Sequence, residues 1–293
     1  MSSAPRQFAF QHPGLDRAEH LREDAAALQA HWPQARVLVL DEDGAVLFSG
    51  SEDAPEFGLG AEHGEGLPER AVFLGLDDEA SAWFALSIEQ AEHLPPQRLD
   101  LRSAALRWPA QSASAYAQAR ALLHWQRQNR FCGRCGQALE LVRGGFVARC
   151  ARCKIEHYPR TDPAIIVAVS DGERLLLGRQ ASWPEKRWSV LAGFLEPGES
   201  LEQTVAREVM EEAGVRIRDC RYLASQPWPF PAALMLGFEA DADPQAVTVG
   251  AELEDARWFS AAEIRGQIAA GEMISSPRMS ISRWLIEDWL SRH

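Results

Sequence analysis

Glu208, Glu211 and Glu212 are spaced so that a single helical edge would gather three carboxylates. Residues three and four apart on a helix are surface neighbours, and like charges there cost a bare helix about 0.2–0.5 kcal/mol per pair. A hard divalent cation removes that conflict. Mg²⁺ in particular binds through one or two carboxylates together with substrate phosphates. The chemistry this pattern offers is therefore cation-assisted work on a phosphorylated substrate; a merely solvated acidic face is the alternative. The element that must position these residues is legible. Ser200 and Gln203 have the spacing of a capping box. Leu201, Val205 and Val209 give one apolar stripe. Gly214 stands where a helix C′ glycine is expected. The spacing predicts a helix over Leu201–Ala213, of about three and a half turns.

The frame around those glutamates is wider. Residues 193–215 read G-x5-E-x7-R-E-U-x-E-E-x-G-U, with U aliphatic, and all nine specified positions are filled. This resembles the Nudix box, the signature of enzymes that hydrolyse a nucleoside diphosphate linked to another group. The resemblance implies two or three Mg²⁺ or Mn²⁺ ions, with Glu208 and Glu212 as principal ligands. It adds the backbone carbonyl of Ala192, just before the box glycine, and an acidic residue from a later loop. Glu252 is the positional match for that last ligand, with Glu254 and Asp255 as competitors. Glu211 or Glu212 would orient or deprotonate the attacking water. Glu199 and Arg207 are expected to tie loop and helix together as a supporting pair. Residues 187–192 read as a short strand entering the loop. Phe194 is a candidate stacking surface.

Residues 225–231 read S-Q-P-W-P-F-P. Three prolines fix φ and remove backbone donors, which excludes a central strand. They present Trp228 and Phe230 stiffly, as suits stacking on a planar base, because little entropy is then lost on binding. Aromatics plugging a core are the structural alternative. The run resembles the SQPWPFPxS motif of the NAD(H) pyrophosphatase branch of the Nudix superfamily, except that Ala233 replaces the final serine. The resemblance implies substrate contacts at Gln226, Pro227, Trp228, Pro229, Phe230, Pro231 and the Ala233 position. Tyr158, Arg102 and Ser282 match more loosely. It also implies hydrolysis of NAD(H) to nicotinamide mononucleotide (NMN) and AMP, removal of the NAD cap from RNA 5′ ends, and a homodimer. Two alternatives stay open: a Nudix hydrolase of another dinucleotide or of an ADP-sugar such as ADP-ribose, and a catalytically silent zinc-ribbon RNA-binding regulator.

Four of the five cysteines form Cys132-x2-Cys135-x14-Cys150-x2-Cys153. Two such knuckles predict a tetrahedral zinc site; with four thiolates it has no open position and is structural. Cys220 is left over and reads as a buried or half-buried thiol.

The chain has 293 residues, 46% of them hydrophobic, enough for two cores. No apolar run approaches the roughly 18 residues of a membrane span, and the N-terminal residues lack the apolar stretch of a secretory signal. A soluble cytoplasmic protein with no membrane partner is expected. The net charge of −12 argues against broad binding along nucleic-acid backbone, although residues 120–160 hold nine Lys/Arg and two Glu. The fold expected is α+β: an N-terminal α+β domain over 1–128, a zinc ribbon over 129–160, and a Nudix α/β/α sandwich with a mixed sheet over 161–293. In the first part, 36–49 read as a hairpin with an Asp-Gly turn, 70–76 and 82–88 as strands, and 99–108 and 113–128 as helices. Residues 58–68 read as a loop, and no internal sequence repeat stands out. In the last part, strands are expected over 164–169, 174–179, 222–224, 232–239 and 257–259, and helices over 261–270 and 281–290.

Overall fold

The apolar run at residues 164–169 lies inside the strand Asp162–Ser170, the middle of a six-stranded sheet in a computed structural model that describes residues 8–12 and 14–293. The extreme N-terminal residues, where a leader segment was sought, lie mostly outside those described. Two compact units form. One holds Asp162–Pro227, Ala233–His293 and Phe8; the other holds Ala9–Thr161 and the short segment Trp228–Ala232.

In the first unit the sheet order is Ile217–Trp228, Ala233–Ala242, Asp162–Ser170, Arg174–Arg179, Asp255–Ser260. Leu191–Phe194 also pairs with Asp162–Ser170. The central strand runs parallel to Ala233–Ala242 and antiparallel to its other partners, so the sheet is mixed. Ile165, Val167 and Val169 pack on one face with Val205 and Val209 of the helix Leu201–Ala213. Ile166 and Ala168 pack on the other with Ile264, Trp284, Leu285 and Trp289, from the helices Ala261–Ala269 and Ile281–Leu290. A strand covered on both faces must be apolar throughout, which accounts for the unbroken run. Each such side chain contributes about 1.5–3 kcal/mol on burial. The strand expected over 187–192 begins later, at Leu191; Arg187 and Ser189 make only isolated bridges, to Ile274 and Gly178. The expected short strand at 222–224 extends to Ile217–Trp228. Pro227 is tolerated in it because this strand is at the sheet edge.

In the second unit Arg36–Leu40 pairs antiparallel with Val46–Ser51 and with Gly58–Leu59, and parallel with Ala82–Ser87. Val72–Leu76 pairs with Ala82–Ser87, and Gln97–Leu99 with Val46–Ser51. These six strands repeat the pairing of the first sheet, and Ala54–Glu56, paired with Val46–Ser51, is an addition without a counterpart; the expectation of no internal repeat is corrected at the level of topology, not of sequence. The expected loop at 58–68 is partly regular structure, with a strand followed by the 3-10 turn Gly60–His63. Gly60 sits so close to Trp32 that an added Cβ would lie 1.9 Å from its carbonyl oxygen. The helices Leu101–Arg107 and Ala110–Gln128 follow.

The ribbon has three short strands, Glu140–Val142, Val147–Arg149 and Glu156–His157. No helix among the described residues is long and apolar enough to cross a membrane.

Candidate active site and metal centre

The helix Leu201–Ala213 begins with a complete capping box. Ser200 Oγ accepts from the Gln203 N–H at 3.3 Å, and the Gln203 side chain accepts from the Ser200 N–H at 2.8 Å. It ends at Gly214, whose φ of 64° is left-handed. Gly193 lies opposite on Leu191–Phe194. A Cβ there would sit 1.9 Å from Glu208 Cδ, so only glycine lets that carboxylate lie against the strand. Arg207 organises the loop between. Its Nε and Nη2 donate to the two Glu199 oxygens at 2.7 and 2.9 Å, and Nη2 also donates to the Phe194 carbonyl at 2.9 Å. Its Nη1 donates to Glu208 at 2.8 Å and to Glu211 at 3.0 Å. Thr204 Oγ1 donates to Glu199 as well, at 3.0 Å, a lock the sequence reading missed because Thr204 occupies an unspecified position of the box. The bidentate Arg207 contact pulls the Glu199 carboxyl down to about 2. Glu199 and Arg207 are thus the expected pair.

Glu208 and Glu212 are 9% and 4% exposed, whereas Glu211 faces solvent and pairs with Arg207. Burial pushes the Glu212 carboxyl up to about 8, helped by the charges of Glu208 and Glu252 and opposed by the Ala192 backbone N–H. Burial likewise raises Glu208, against the pull of Arg207. Glu212 Oε2 is buried with no hydrogen-bond partner. A buried carboxylate oxygen left unpaired beside two more acids is costly in the fold alone, and it is the donor set a hard cation needs. The loop that follows folds back on the helix end. Thr248 and Gly250 N–H groups donate to the Ala213 and Glu212 carbonyls, each at 2.8 Å. This brings Glu252 within electrostatic range of Glu208 and Glu212. Its two competitors are engaged elsewhere, Glu254 with Arg179 at 2.9 Å and Asp255 with Arg257.

The proline-rich motif divides. Gln226 is fully buried, and its amide donates to the Met279 carbonyl at 2.7 Å and accepts from the Ile281 N–H at 2.8 Å. Ser282 is buried too, with its hydroxyl 2.7 Å from Ser189 and 2.8 Å from Ser276. Both side chains make these bonds inside the sheet unit, where they brace the start of Ile281–Leu290. Pro227 is the penultimate residue of the edge strand and Ala233 opens the next. Trp228, Pro229, Phe230 and Pro231 belong to the other unit. The Trp228 and Phe230 rings meet edge to face at 5.0 Å. The Arg102 guanidinium lies over Phe230 at 4.0 Å and over Trp228 at 5.2 Å. Tyr158 is exposed and donates to Glu156 at 2.6 Å. Phe194 presents an exposed ring next to the box glycine.

The four thiol sulfurs of Cys132, Cys135, Cys150 and Cys153 lie within 4.8 Å of one another, as one tetrahedral ion requires. Each knuckle closes with the same backbone bond: Gly136 N–H to the Cys132 carbonyl at 2.8 Å, and Lys154 N–H to Cys150 at 2.9 Å. Gly136 and Lys154 share the left-handed conformation, at φ 72° and 59°. Cys220 is half-buried.

A mixed-sheet sandwich carrying this glutamate edge defines the Nudix class. Residues 159–278 match the NUDIX domain, residues 127–158 the NADH pyrophosphatase zinc ribbon domain, and residues 17–125 the NADH pyrophosphatase-like rudimentary NUDIX domain. The chain is 38% identical over 291 residues to the NAD-capped RNA hydrolase NudC of Mycobacterium bovis, covering 94% of this chain and 92% of that protein. It is 46% identical over 169 residues to the NudC of Stutzerimonas stutzeri, covering 57% of this chain and 58% of that one. It is 35% identical over 254 residues to the human mitochondrial NAD(P)H pyrophosphatase NUDT13, covering 76% and 72%. The chain belongs to the NADH pyrophosphatase (NudC) family of Nudix hydrolases.

Proposed function

We propose that the chain hydrolyses the diphosphate bond of NAD(H) to NMN(H) and AMP, and removes the NAD cap from RNA 5′ ends with release of NMN. The observation that carries this is the buried, unpartnered Glu212 oxygen beside Glu208 and Glu252. Two or three Mg²⁺ or Mn²⁺ ions, when bound, would supply charge neutralisation of the diphosphate and acidify a water. Glu208, Glu212, Glu252 and the Ala192 carbonyl would hold them. Glu212 rather than Glu211 would take the proton of the attacking water, because Glu212 Oε2 has no hydrogen-bond partner whereas Glu211 is exposed and engaged by Arg207. Glu199 and Arg207 keep the loop and Glu208 in place. Trp228, Phe230 and Phe194 offer ring faces to the dinucleotide, with Arg102 and Tyr158 as polar contacts and Pro229 and Pro231 as stiffeners.

The work divides over 1–128, 129–160 and 161–293, with a structural zinc ion in the middle segment. The setting is the cytoplasm and the active form a homodimer. Incubating the protein with NADH, ADP-ribose and NAD-capped RNA, with and without Mg²⁺ or Mn²⁺, tests the reading. Metal-dependent NMN(H) and AMP from NADH, and NMN from capped RNA, are expected. Faster turnover of ADP-ribose than of NADH would replace the substrate assignment, and binding of RNA without any hydrolysis would replace the enzyme assignment.

A further inference from the structure

We infer that Arg120, on the helix Ala110–Gln128, is a positioning residue that sets the aromatic segment Trp228–Ala232 for dinucleotide recognition. The inference rests on the NAD(H) reading for what the segment recognises, but its structural half stands independently. Residues Trp228–Ala232 pack with the unit that contains Arg120, although the strands on either side of them belong to the other unit. Prolines at 229 and 231 remove two backbone donors, so the segment can do little to fix itself; the Phe230 N–H bond to the Trp228 carbonyl, at 2.7 Å, is internal to it. The Pro229 carbonyl is satisfied from outside, by Arg120 Nη1. The same guanidinium lies 5.1 Å from the Phe230 ring centroid, while Arg102 lies 4.0 Å from it. Two cations therefore bear on one ring, a geometry that holds an aromatic face in a set orientation.

The helix is itself locked. Tyr116, one turn before Arg120, has its hydroxyl bound by the Val46 N–H at 3.0 Å, and by the Gly44 and Leu99 carbonyls at 2.8 and 3.0 Å. Gly44 leaves room for the guanidinium, since a Cβ there would sit 3.0 Å from Arg120 Nε. Among the described residues no carboxylate forms an ion pair with Arg120; burial and the charges of Arg102 and Arg127 disfavour its cation, and Asp100 offsets them only in part. A half-buried cation with no directly paired counter-ion is unfavourable for the fold. It persists here on a carbonyl and a ring of the motif.

The test uses the full chain with Arg120→Met and Arg120→Lys, each checked by thermal melting. Hydrogen exchange of the substrate-free protein should rise at peptides covering 228–232 in R120M, with the 201–213 peptide unchanged. The KM for NADH should rise about 10-fold or more, the size of one lost charged hydrogen bond, while kcat stays within about 2-fold. R120K should recover part of both effects. Unchanged exchange at 228–232 would overturn the positioning role. Raised exchange with an unaltered KM would overturn the link to recognition. If the wild type does not cleave NADH, the functional reading falls, and the exchange result still judges Arg120.

Discussion

In the sheet centred on Asp162–Ser170, the strand Leu191–Phe194 leads into a loop and a thirteen-residue helix lined with glutamates. In the sheet centred on Arg36–Leu40, the strand at the same topological place, Gly58–Leu59, leads into the four-residue turn Gly60–His63. The strand plan is otherwise shared, apart from the added strand Ala54–Glu56 in the second sheet. Each sheet has a glycine at this junction that cannot carry a Cβ, but the reasons differ. Gly193 makes room for the Glu208 carboxylate, and Gly60 makes room for the Trp32 carbonyl. Glu62 in the short turn accepts from the Leu59 N–H at 3.1 Å and caps the turn, while Glu212 in the long helix is left with an unpartnered oxygen. One sheet invests the junction in satisfied backbone, the other in unsatisfied charge. The same architecture thus serves as a scaffold in one copy and as a candidate catalytic edge in the other.

The largest effect that could break this contrast is on turnover. Glu212→Gln should fold normally and lose at least about 100-fold in kcat, the size of a lost general base, while Glu62→Gln should leave kcat within about 2-fold. Steady-state kinetics on NADH decides, and equal losses would erase the distinction. The glycines sharpen it. Gly193→Ala should displace Glu208 and lower metal-dependent activity by about 100-fold, the cost of misplacing a catalytic group by about 1 Å. Gly60→Ala should instead cost about 2 kcal/mol of stability through overpacking, read by denaturant unfolding, with the folded fraction fully active.

The acid limb of stability is a third test. Glu199 has its folded pKa lowered from 4.5 to about 2, chiefly by Arg207. The carboxylate is therefore favoured in the fold, and its contribution is complete above the unfolded value and lost as pH falls from about 4.5 to 2. Glu199→Gln should flatten that part of a melting-temperature profile. The smallest effect lies in the ribbon, where Gly136 and Lys154 hold the same left-handed position. Lys154→Gly should stabilise the second knuckle by about 1 kcal/mol, measured as resistance to thermal unfolding in the presence of a zinc chelator; the same gain at an exposed right-handed residue would show that the conformation is not the cause.

Much of this was legible in local pattern. The helix Leu201–Ala213 is bounded as its capping box and C′ glycine predict, and the cysteine spacing brings four sulfurs together. Caps, stripes and knuckles are short-range devices, so the information sits within a few residues. Three other features were not legible. The topological repeat leaves no trace because the core tolerates any apolar residue of suitable volume. Arg120 carries no signal, since its partner carbonyl is 109 residues away. The burial of Gln226 and Ser282, and their bonds to Met279 and Ser189, are not legible either, since those partners are 53 and 93 residues away.

By itself the sequence determined which chemistry is available: three glutamates on one helical edge, four thiols in two knuckles, and two aromatics held by prolines. Only the tertiary structure decided how those groups are used. It folds the loop back onto the helix end so that Glu252 lies within electrostatic range of Glu208 and Glu212 while Glu254 and Asp255 pair with arginines, and it engages Glu211 with Arg207 while leaving Glu212 Oε2 without a partner. It also assigned the aromatic segment to the N-terminal unit. The physical reason is that residue type and spacing act through local backbone geometry, whereas burial, partner choice and pKa depend on what the rest of the chain brings alongside.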